Sequence, residues 1–114
     1  MPLFTMTGPY RLTSYVLETV VPPQTPGVYV LGRLSGRGVL EMPKLIGRSD
    51  VDLRAALKAH AGKHEGFLYE RAGSPMGAFV MECELFHHFR ELELPHPARA
   101  ANTTWKCPVC KIFG

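Results

Sequence analysis

Proline and glycine punctuation fixes where this chain can and cannot run as regular structure. Pro22, Pro23 and Pro26 stop any helix begun in residues 10–21 (YRLTSYVLETVV), because proline has no amide donor and its ring collides with the preceding turn. That segment is apolar enough to dock on a core and fits either a strand or a helix. Residues 27–33 (GVYVLGR) are rich in β-branched and aromatic side chains and read as a strand. The pleat places Tyr29 and Leu31 on one face and Val28 and Val30 on the other. SGRG at 35–38 marks a turn, and 39–47 (VLEMPKLIG) supplies a second strand, making a hairpin. Pro43 has no ladder donor, so pairing there is interrupted or lies at a sheet edge. Residues 50–61 read as a helix, capped by Ser49 or Asp50, with Asp52 in the first turn and Gly62 at its end. Val51, Ala55 and Ala59 fall on one side of it, with Leu53 and Leu57 beside them. Residues 66–71 form a third strand in which Phe67 and Tyr69 alternate with Leu68, as core and rim. Residues 74–90 form a longer helix, with Ser74 at the N-cap and Pro75 in the first turn. Pro95 and Pro97 close it off. The order implies an α+β layer, a sheet covered by helices, followed by a cysteine-bearing tail.

The 114 residues suit a single domain, 1–114, with a core over about 26–92 and a tail over 95–114. Hydrophobic residues at 46% and charged residues at 20% argue against wholesale disorder. No apolar run approaches the ~20 residues of a membrane span. The opening MPLFTMTGPYRL lacks the order of a signal peptide, so the expectation is a cytoplasmic protein with reduced cysteines. The net charge of +3 is too small to imply nucleic acid by itself. It is unevenly spread: residues 27–63 carry a net of +4 and residues 82–93 a net of −3. A basic half of this kind can meet phosphate or simply be a solvated surface.

Cys107-Pro-Val-Cys110 is a C-x-x-C knuckle able to place two thiolates on one tetrahedral ion. A redox pair of the thioredoxin type opens a helix after a strand, and this motif lies in the terminal residues. Cys83 and His87 are one helical turn apart, so both can reach a common point. Cys83, His87, Cys107 and Cys110 make a Cys₃His set, the composition of a closed structural zinc site. His96 is the alternative fourth ligand, and His88 lies about 100° round the helix from His87. Zinc would pin a tail too short to fold alone. Trp105 reads as packing over that site.

On a helical projection Glu82 falls within a face of Ala78, Phe79, Leu85, Phe86 and Phe89, while Glu84, His88 and Glu91 take the solvent side. A carboxylate there costs free energy unless it is paired or binds a cation. It is either the floor of a site or an edge residue paired with an arginine.

GVY at 27–29, LIG at 45–47, DLRAAL at 52–57 and SPMGAFVME at 74–82 resemble the GIY-YIG nuclease superfamily. More narrowly, LIGRSDVDL, HPAR at 96–99 and WKCPVC at 105–110 are similar to a group of small stand-alone GIY-YIG-like proteins. The resemblance covers roughly residues 26–110. It implies a three-stranded antiparallel sheet flanked by helices and metal-dependent cleavage of a phosphodiester. A tyrosine then polarises or deprotonates water, a helix arginine stabilises phosphate, and a glutamate holds one magnesium ion. Tyr29 matches the tyrosine, and Glu82 matches the glutamate. Leu45 stands where the second tyrosine belongs, and Ala56 where the arginine belongs. Arg54 projects about 200° away round that helix, so Arg48 is the candidate phosphate contact. The late asparagine has no clear counterpart, Asn102 lying in the tail. Loss of such an arginine lowers the rate by orders of magnitude.

The expectation is therefore a nuclease-fold protein with a degenerate or weak phosphodiesterase site of Tyr29, Arg48 and Glu82. It carries structural zinc, with magnesium or manganese at Glu82 and DNA or RNA as partner. The alternative is a zinc-stabilised protein-interaction module without nucleic-acid activity.

Overall fold

Seven elements follow one another: β1 (Thr7–Arg11), α1 (Ser14–Val20), β2 (Gly27–Leu34), β3 (Leu40–Ser49), α2 (Leu53–Lys58), β4 (Gly66–Arg71) and α3 (Pro75–His88). They come from a computed structural model that describes residues 6–36 and 38–89. The strands form one antiparallel sheet in the order β1-β4-β2-β3. The fold is α+β, with four strands where the resemblance implied three.

The additional strand is β1, which pairs with β4 through Thr7↔Tyr69 and Tyr10↔Phe67, with a register shift between. Gly8 and Pro9 make its sequence look like a turn. A sheet edge tolerates both, since a bulged outer strand can spare a ladder donor. Tyr10 earns the strand its place: its ring lies 5.8 Å from Phe67 and 6.4 Å from Tyr69. The ambiguous segment 10–21 thus divides into a strand end and a helix. The Thr13 hydroxyl caps α1 by accepting from the Val16 amide at 3.3 Å.

Helices cover both faces of the sheet. Tyr29, Leu31, Phe67 and Tyr69 pack with Leu17 of α1 and with Leu53 and Leu57 of α2. Val28, Val30 and Ile46 pack with Leu85 of α3. The alternation expected along β2 is therefore the observed one, with each face assigned its own helices. Pro43 lies in β3, which is both an edge strand and irregular: the register shifts between Leu31 and Arg33. Gly32 makes this crossing possible. A Cβ there would come within 3.0–3.2 Å of Glu41 O, Met42 O and Pro43 Cα.

α2 is shorter than the expected 50–61, and its cap is Asp52. The Asp52 carboxylate accepts from the Ala55 amide at 3.1 Å, and the Ser49 hydroxyl accepts from the Asp52 amide at 2.9 Å. Asp50 is drawn away to Arg48. Val51 consequently lies outside the helix at 72% exposure, and the buried face is Leu53 and Leu57 alone. α3 starts as expected, with the Ser74 hydroxyl accepting from the Gly77 amide at 3.0 Å and Pro75 in the first turn. Among the described residues no helix is long and apolar enough to cross a membrane. The tail over 95–114 lies outside the described residues.

Candidate functional site

β2 and the turn that ends α2 together position a tyrosine–histidine pair. The buried Tyr29 hydroxyl lies 3.3 Å from His60 Nε2, and the two rings are 5.7 Å apart. Its cross-strand neighbour is Gly47. A Cβ on Gly47 would overlap the Tyr29 ring and hydroxyl, so this glycine opens the space that the phenol occupies. Burial, and then the charge of Glu82, push the Tyr29 hydroxyl above its ordinary pKa. Burial, then His64 and Lys63, hold His60 below its ordinary value. Near neutral pH the phenol thus keeps its proton and His60 is a neutral imidazole able to accept it. The sequence reading missed His60. It lies one turn beyond Ala56, the position where the resemblance placed an arginine, and that spacing was the available signal.

β3 and α3 build the second half of the site on the opposite face. Arg48 faces Val28 across the ladder and reaches α3. Its Nε donates to Asp50 Oδ1 and its Nη1 to Glu82 Oε1, both at 2.8 Å. The guanidinium also stands 5.2 Å from the centroid of Phe79. The Arg48 and Glu82 side chains are only 11% and 15% exposed, so solvent screens this pair weakly. One cation faces two carboxylates here. Glu82 is paired with an arginine, Arg48, as one of the two readings of its place on α3 expected.

The three expected site residues are therefore divided. Arg48 and Glu82 touch, whereas Tyr29 belongs to the cluster on the other face. The Glu82 charge adds, after burial, to the raised pKa of the Tyr29 hydroxyl. Arg54 is committed elsewhere: its Nε donates to Val21 O at 2.7 Å and its Nη2 to Glu18 O at 3.2 Å. Leu45 and Ala56 pack on the apolar cluster that holds Tyr29. Tyr69 donates to Val20 O at 2.9 Å and serves α1.

Cys83 is fully buried in α3 beside Phe79, and His87 one turn on is half-buried, edge-on to Phe86 at 5.0 Å. Among the described residues no group of three or more His, Cys, Asp or Glu side chains gathers around a point. Cys107, Cys110, His96, Asn102 and Trp105 lie outside the described residues. His88 is exposed as expected. Glu84 is half-buried instead, and burial raises its carboxyl above the usual range. No family model, curated protein or solved structure matches the chain.

Proposed function

We propose that this chain is a GIY-YIG-type nucleic-acid phosphodiesterase of low turnover, dependent on magnesium or manganese and stabilised by structural zinc. The observation that carries this reading is the Tyr29 hydroxyl set 3.3 Å from His60 Nε2, and it is supported by Arg48, next to Tyr29's strand partner Gly47, holding Glu82. His60 Nε2 accepts the Tyr29 proton, and the phenol oxygen in turn accepts one from an attacking water. Gly47 leaves the space in which the Tyr29 phenol is seated. Glu82 and Asp50 offer hard carboxylate oxygens, the donor type that magnesium and manganese take, and such an ion, when bound, neutralises charge on phosphate oxygens. Arg48 orients Glu82 and offers a positive charge to the phosphate.

Low turnover follows from the same contacts. Ala56 carries no charge, Leu45 supplies no hydroxyl, and a phosphate must compete with two carboxylates for Arg48. One missing electrostatic donor costs about 10²–10³ in rate. Cys83 and His87, with Cys107 and Cys110, would hold zinc and fasten the tail to α3.

The neutralisation of Arg48 favours a second reading, a zinc-stabilised protein-interaction module. Fluorescence anisotropy with labelled DNA and RNA oligonucleotides separates the two. The phosphodiesterase reading expects binding that weakens steeply as salt rises, because phosphate contacts release counterions. Absence of any salt-dependent binding assigns the chain to the interaction module.

A further inference from the structure

A polar cavity that shares no residue with the Tyr29, His60, Arg48 and Glu82 group lies where the end of α1, the start of α2, the start of β1 and the end of β4 come together. Its volume is about 460 Å³, and its lining includes Arg54, Arg71, Thr7, Thr19 and Tyr69. That volume is within the ~300–1,000 Å³ typical of small-ligand sites.

Two guanidiniums border this cavity, and neither forms an ion pair among the described residues. Arg54 is held in place by the carbonyls of Val21 and Glu18, which fix its orientation, while the nearby Glu18 carboxylate is ion-paired to Lys58 and feels the Arg54 charge more weakly. Arg71 ends β4 and is exposed. Glu70 also borders the cavity. Strand alternation puts its side chain on the face of Leu68, yet its charge acts on Tyr69 and so opposes an anion in part. Val20, Val21 and Pro22 form an apolar wall beside the charged rim. The Thr19 and Tyr69 hydroxyls already donate to the Tyr15 and Val20 carbonyls, which leaves two guanidiniums, the Thr7 hydroxyl and one apolar wall, a set that suits a doubly charged oxyanion carried on a flat or apolar body.

We propose that this cavity binds a phosphate monoester, with Arg54 and Arg71 as its two anion contacts. The monoester could come from a free mononucleotide or from the 5′-phosphorylated end of a strand, both of which present the same dianion. The site shares no residue with the Tyr29, His60, Arg48 and Glu82 group, so its failure would leave the phosphodiesterase reading standing.

Calorimetric titration of the full chain with inorganic phosphate, a nucleoside 5′-monophosphate and matched 5′-phosphorylated and 5′-hydroxyl oligonucleotides tests it. Arg71→Gln is the main variant, because an exposed strand-end side chain can be changed without disturbing the core; thermal melting checks that the fold is kept. Arg54→Lys is the second variant, retaining charge but losing the fork. The expected result is binding of the monoester, weakened at least tenfold by Arg71→Gln and less by Arg54→Lys. A mononucleotide binding as tightly as the phosphorylated strand identifies a small ligand. Preference for the phosphorylated over the hydroxyl strand, with weak mononucleotide binding, identifies a strand end. No binding of any monoester at millimolar concentration, or binding that Arg71→Gln leaves unchanged, overturns the proposal.

Discussion

Gly47 decides whether Tyr29 can occupy its place. Any side chain at 47 must displace the phenol or bend β3, so Gly47→Ala is expected to destabilise the fold by about 1–3 kcal/mol, read from urea denaturation. The same variant should also lower the fluorescence or activity signature of a correctly seated Tyr29; unchanged stability would mean that the strand yields without cost. His60 supplies a second test. Its folded pKa is lowered by burial, His64 and Lys63. The unfolded chain therefore takes up the proton first as pH falls through the ordinary histidine value of 6.5, so stability and any Tyr29-dependent activity both decline on the acid side. An NMR titration of the His60 ring is expected to give a midpoint below 6.5. A midpoint at or above it would contradict the assignment of His60 as a neutral acceptor. The sequence carried the identity of Tyr29, Arg48 and Glu82 as notable residues, because each breaks a local rule or fits a motif. His60 was hidden because one histidine near a helix end breaks no rule until the fold sets it beside a phenol.

Arg48 clamps α3 to the edge of the sheet. Its partners among the described residues include Asp50 from the β3–α2 turn, Glu82 from α3 and the ring of Phe79. Removing it leaves Glu82 poorly solvated, so Arg48→Ala is expected to cost about 2–4 kcal/mol. A double-mutant cycle with Glu82→Gln should return a coupling of at least about 1 kcal/mol; additive effects would show that the pair merely coincides. The inner elements were legible in sequence because alternation in β2 and β4 and the Ser74–Pro75 start of α3 each have one physical reading. β1 was not, since Gly8 and Pro9 are tolerable in a strand only at an edge, and edge status belongs to the assembled sheet. The start of α2 moved for a similar reason: three candidate caps stand close together, and the ion pair to Arg48 removes Asp50 from the choice.

The sheet carries helices on both faces, and the whole molecule therefore presents two chemistries at one edge. The turn after α2 brings the imidazole to Tyr29 on one face of the sheet, and α3 brings the carboxylate to Arg48 on the other. Zinc bears on whether that arrangement persists. Elemental analysis of protein purified without chelator is expected to find about one equivalent of zinc, and its removal should lower the melting temperature, since metal binding to the native state alone is stabilising. Less than half an equivalent would count against the Cys83–His87–Cys107–Cys110 set. The most direct measurement of the central claim is cleavage of labelled single- and double-stranded oligonucleotides with magnesium or manganese, run beside Glu82→Gln. Slow, metal-dependent scission that disappears in Glu82→Gln is the predicted result. Scission that persists in the variant, or none under any metal, would contradict it.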